Sequence, residues 1–184
     1  MKKTIKNEDI RYPGIQNGET FQLAGIDFIK FPDKDGFTPI VARDILFKSD
    51  FGKDNDFRNS KVLKKLEKEI LPKIIAAVGE ENLCPVETDL TTLDGLKTYG
   101  AMESMISIPT MDFYRENVEI FDKYNPGAWW WLATPESAKP HWDSPWILCV
   151  SPAGRVYDYF YHFVSGVRPI LILKSSIFES LEDE

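Results

Sequence analysis

All five tryptophans of this 184-residue chain fall between positions 129 and 146, and a strand-rich stretch follows them. Aromatic side chains bury large areas, so a segment this dense in them has to lie inside or beside a core. Residues 129–133 read as a buried strand in which Trp129 and Trp131 face one way and Trp130 the other. Residues 147–150, the turn SPAG at 151–154 and VYDYF at 156–160 read as a β-hairpin. Its second strand sends Val156, Asp158 and Phe160 to one face, and Arg155, Tyr157, Tyr159 and Tyr161 to the other. A final strand is expected over 167–173, where Pro169 implies an edge position or a bulge.

The upstream chain is read more coarsely. Residues 1–19 are a polar, irregular lead-in. Extended chain is expected over 21–31, with Gly25 marking a bulge, and again over 37–47, the two separated by the turn cluster 32–36. Residues 50–60 form a polar loop whose Asn59 or Ser60 caps a helix. Val62, Leu63, Leu66, Ile70, Ile74 and Val78 then recur at helical spacing, opposite a face of lysines and glutamates that reads as solvated. Pro72 either kinks that helix or starts a second one. Residues 84–100 read as an ordered surface loop and Ile106 to Ile108 as a short strand. Thr110 caps a helix reaching about Phe121. The expectation is a compact α+β fold with a helix-rich middle and a C-terminal antiparallel sheet: one domain over 20–175, followed by an acidic tail at 176–184.

A formal net charge of −7 disfavours adhesion to nucleic acid or anionic membranes, because phosphate binding needs a basic face; it suits a basic partner. No apolar stretch approaches the ~18 residues of a membrane span. The basic start lacks the apolar run of a secretory signal, so a cytoplasmic location and reduced Cys84 and Cys149 are expected. The second thiol lies in the run WILCV and reads as core.

Catalytic constellations are weak. His141 and His162 are the only histidines. Ser137 or Ser144 with His141 and Asp143 lacks a nucleophile elbow, and triad members two residues apart on a loop face different ways. His141, Asp143 and Glu136 lack the spacing of a metal site. No phosphate-binding glycine loop occurs. The expectation is a non-enzymatic protein without metal or cofactor.

Binding residues are easier to nominate. The loop 134–145 carries Glu136, His141, Trp142 and Asp143 between Pro135, Pro140 and Pro145. Many polar groups keep it at the surface, and its prolines restrict its backbone. Trp142 is either a recognition anchor or a lid over the strand at 129–133. Tyr157, Tyr159 and Tyr161 are equally open to core or surface roles. Trp129, Trp131, Gly154, Gly166 and Arg168 are expected to be structural, the arginine because its apolar surroundings demand a carboxylate or carbonyl partner.

The segments WWWLATPES (129–137), WILCVSPAG (146–154) and GVRPILI (166–172), together with NDFRNS (55–60) and DLTTLDG (89–95), resemble DUF6273, a bacterial and phage family of unknown function. The resemblance spans residues 20–175. Its motif order is similar to that of C-type-lectin-like and formylglycine-enzyme-like modules, which implies a compact mixed fold. The calcium-lectin signatures and the reactive cysteine pair of formylglycine generation are absent. The resemblance implies a phage or mobile-element origin, and with the Trp- and Tyr-rich loops the expectation is a binding protein in the host cytoplasm that acts on a protein partner. A second expectation is an anti-CRISPR-like inhibitor that blocks the basic channel of a Cas9-type host nuclease.

Overall fold

A computed structural model describes residues 11–140 and 145–180. It is an α+β fold of two five-stranded sheets and a two-stranded ribbon, with short helices interspersed among the strands along the chain. The N-terminal segment opens with β1 (Thr20–Leu23) and β2 (Ile26–Lys30), antiparallel partners. These are two strands rather than one extended run. Ala24 and Gly25 both take positive φ, at 53° and 76°, and close a two-residue hairpin where a bulge was expected.

Strand β3 (Phe37–Ala42) continues that sheet, whereas β4 (Phe47–Ser49) leaves it for the other one, so the expected run 37–47 divides between sheets. Ser60 caps α1 (Lys61–Lys65) by accepting a hydrogen bond from the Leu63 N–H at 3.0 Å. A π-helical turn (Leu66–Ile70) links α1 to α2 (Leu71–Val78), with Pro72 in the first turn of α2. The wider turn accommodates the proline, which has no N–H to give and whose ring would crowd a regular α-turn.

The segment read as a surface loop contains β5 (Leu83–Cys84) and β6 (Val86–Asp89), and β6 pairs with β7 (Ala101–Ser104). The strand expected at Ile106 to Ile108 is only a bridge from Ser107 to Ile170. Thr110 caps α3 (Met111–Glu116) as expected, but Asn117 interrupts the helix before α4 (Val118–Lys123). The tryptophan strand is β8 (Trp130–Pro135), and the hairpin is β9 (Trp146–Val150) with β10 (Val156–Phe160).

The single strand expected over 167–173 is two strands, β11 (Ser165–Val167) and β12 (Ile170–Lys174), in different sheets. Pro169 lies at the crossover, not at an edge or bulge. The first sheet runs β1-β2-β3-β12-β5 and the second β10-β9-β8-β11-β4. The C-terminal sheet therefore borrows β4 from the N-terminal half, and its β11–β8 pair is parallel. Each half of the chain completes the sheet of the other.

Alternation within the strands feeds two cores. Phe28, Ile40 and Leu171 join Trp131, Ile147 and the helix residue Leu66 in the larger one. Ile29, Val41 and Ile170 join Trp130, Leu148 and Phe121 in the other. Fully burying such side chains stabilises by about 1.5–3 kcal/mol each relative to exposure. No described helix is long and apolar enough to cross a membrane.

Candidate functional site

Inside the second sheet the tryptophans separate by role. The Trp131 ring is buried edge-on to Phe51, at 5.6 Å between centroids, and its Nε1–H donates to the Ser49 carbonyl at 2.9 Å. Trp130 stacks on Phe121 at 5.6 Å. The guanidinium of Arg168 lies over the Trp130 ring at 4.7 Å and over Phe121 at 5.5 Å. Arg168 is wholly buried, and its Nε–H donates to the Ala42 carbonyl at 3.0 Å. Desolvation pulls its pKa down to about 10, which leaves it charged at neutral pH. It thus has the expected carbonyl, with aromatic faces where a carboxylate was the alternative. Gly166 admits no side chain: a Cβ there would sit 2.5 Å from Ile45 Cδ1 and 2.8 Å from the Trp129 carbonyl oxygen. Gly154, at φ 74° in the hairpin turn, offers its carbonyl to the Tyr114 hydroxyl at 2.9 Å.

Trp129 differs from its neighbours. It is half-buried, with its ring edge-on to Tyr157 at 5.6 Å and to Tyr159 at 5.7 Å. Tyr159 stacks on Phe163 at 4.0 Å, and Tyr161 is half-buried against the larger core. Tyr157 is 48% exposed. The tyrosine row is therefore graded, from a largely exposed ring at one end to half-buried rings at the other.

The loop after β8 is held at both roots. Buried Asn55 donates from Nδ2 to the carbonyls of Ser137 (2.8 Å) and Trp146 (2.9 Å), and accepts from the Tyr99 hydroxyl at 2.8 Å. The Arg58 guanidinium, forked onto Asp56, lies over the Tyr99 ring at 5.6 Å. Asp94 accepts from the Thr92 hydroxyl, from the Ser137 hydroxyl at 2.9 Å, and pairs with Lys139 at 3.1 Å. The Thr92 hydrogen bond, with those of Ser137 and Lys139, pulls the Asp94 carboxyl down to about 2. Glu136 is half-buried, and its N–H donates to the Trp146 carbonyl at 3.1 Å. His141, Trp142, Asp143 and Ser144 lie outside the described residues.

Asn55, Asp94 and Tyr99 were not nominated from sequence. The first two lie in the segments 55–60 and 89–95, noticed there only as pieces of a resemblance. No local pattern distinguishes them, since their work is done across long sequence separations.

Two larger grooves lie elsewhere. One, of about 430 Å³, is lined by Asp50, Lys53, Asp54 and Lys61, with Lys61 tied to Asp50 at 2.8 Å. The other, about 480 Å³, runs over Phe37, Pro39, Cys84 and Ile172. Burial pushes the Cys84 thiol up and the Cys149 thiol up to about 12, the opposite of what activates a nucleophile. Among the described residues, no three His, Cys, Asp or Glu side chains gather as a metal site requires. No family model, no curated protein and no solved structure matches the chain.

Proposed function

We propose that the chain is a non-enzymatic recognition protein that engages a protein partner through Trp129, Tyr157 and Tyr159 together with the adjoining loop 134–145. The observation that carries this reading is Tyr157, which faces solvent while its ring is held edge-on against Trp129. An aromatic positioned before binding loses little conformational freedom on contact, and Tyr and Trp dominate the energetics of interfaces. The loop adds a second contact whose roots are pinned by Asn55 and Asp94 and whose prolines restrict it further. Trp142 is its anchor in this reading. The resemblance to a phage-borne family agrees with a partner in the host cell.

The test uses Tyr157→Ala and Trp142→Ala separately. Wild-type protein serves as bait in a lysate of the producing organism, and each captured protein is then titrated against both variants. Each variant is expected to weaken binding by about 2 kcal/mol or more. The melting temperature should shift by no more than ~2 °C, as for a surface change. Equal affinity of wild type and both variants for every captured protein would sink the reading.

A further inference from the structure

We propose that β10 is a docking edge, on which an extended segment of another protein adds as an antiparallel strand with Lys or Arg opposite Asp158. This rests on the recognition reading above and names how the partner is held.

The argument starts from the phase of the hairpin. Two hydrogen bonds bracket β10: the Ser151 N–H donates to the Arg155 carbonyl at 2.8 Å, and the Tyr161 N–H to the Pro145 carbonyl at 3.3 Å. Antiparallel pairs alternate between bonded and non-bonded residues. In the β9–β10 register, Tyr157 faces Cys149 and Tyr159 faces Ile147, so these tyrosines direct their N–H and C=O groups inward to β9. Val156, Asp158 and Phe160 must then turn theirs outward. Among the described residues only one of those outward groups is used, the Phe160 carbonyl, which accepts from the Phe163 N–H at 2.9 Å.

An open row of this kind is a template for another strand unless it is shortened, bulged, covered or charged. β10 has five residues in unbroken register with β9. The other edges of the two large sheets are shorter, with four residues in β1, three in β4 and two in β5. Lysine and proline, the usual blunting residues, are absent from VYDYF. Its one charge is Asp158, half-buried between Val156 and Phe160 and without an ion pair among the described residues.

That carboxylate selects the occupant. Pairing with a second copy over the full strand would set Asp158 opposite Asp158, and like charges directly opposite are destabilising. A foreign strand with a cation at that position gains an opposite-charge pair in the same place. Its neighbours on that face meet Val156 and Phe160, and its alternate residues meet Tyr157 and Tyr159, backed by Trp129. Main-chain bonds supply affinity in this mode, and alternate side-chain contacts supply selectivity.

The probe is a displayed library of random dodecapeptides, selected in parallel on wild type and on Asp158→Lys, a change at a residue whose main-chain groups take no part in the ladder to β9. Wild type is expected to enrich Lys or Arg at one position with apolar residues two places either side, and Asp158→Lys to enrich Asp or Glu there. A saturating wild-type-selected peptide should slow amide exchange at Val156, Asp158 and Phe160 by about tenfold or more, and leave the ladder amides of Tyr157 and Tyr159 as they are. Selection indifferent to the sign at 158, unprotected edge amides, or a library yielding no binder would each overturn the proposal. So would edge amides protected by self-association of wild type, which would make a second copy the occupant. Peptides that bind, lose affinity with Tyr157→Ala and leave the edge amides unprotected would remove strand addition while keeping the aromatic surface. Protected edge amides with full affinity in Tyr157→Ala would do the reverse.

Discussion

Arg168 is a cation wholly inside the protein, with one hydrogen bond from Nε to a carbonyl, two aromatic faces under its guanidinium, and both terminal nitrogens buried without a partner among the described residues. Truncation would leave both a cavity and an unpaired Ala42 carbonyl, so Arg168→Ala should cost about 3 kcal/mol or more in urea denaturation. Arg168→Met fills most of the volume without the desolvation cost, and should cost less than half as much. A loss within error of zero for the alanine variant would contradict the packing described. Ala24 presents the opposite case. It holds φ at 53°, a region that costs L-residues about 1–2 kcal/mol and that asparagine tolerates better. Ala24→Asn should therefore stabilise by about 0.5–1 kcal/mol, read from the same denaturation curves. Asp94 connects the site to pH. Its carboxyl ordinarily titrates at 3.8 and is held at about 2 in the fold. The folded state thus binds that proton less readily than the unfolded chain does. The anchoring is complete above about 3.8 and is lost as the pH falls through about 2. Carbon-detected NMR titration of the carboxyl checks this directly, and Thr92→Val should move the midpoint up.

Strand and helix identity was readable wherever local pattern and long-range pairing agreed. The hairpin of β9 and β10 alternates cleanly around SPAG, and α1 announces itself through its stripe and Ser60. The β1–β2 turn was missed because alanine carries no turn signal; only the fold forces it into the left-handed region. The ribbon of β6 and β7 was missed because a buried threonine stands where an apolar residue would have marked the strand. Thr88 is satisfied by the Ser107 hydroxyl at 2.7 Å, a partner that local sequence does not reveal. Residues 167–173 misled for another reason, since a stretch so dense in branched residues does not reveal that it divides at Pro169 between two sheets. At the candidate site the aromatics stood out by type. Asn55, Asp94 and Tyr99 are ordinary loop residues until folding brings them together.

At the scale of the whole molecule, the net charge of −7 sets what kind of surface it can approach. If the partner is the basic channel of a Cas9-type nuclease, the two proteins should co-elute in gel filtration, more weakly as salt rises, and guide RNA should compete. No co-elution at low salt across several orthologous nucleases would remove that candidate. The exchange of strands between sheets bears on biosynthesis. β12 lies between β3 and β5, so the first sheet cannot join those two strands until residues 170–174 have left the ribosome. At roughly 5–20 residues per second, β3 waits several seconds with its apolar flank bare. The first sheet can therefore close only after nearly the whole chain has been made. A stop codon after Val167 should yield insoluble, proteolysed material rather than a shortened domain, so the cell receives this protein complete or not at all.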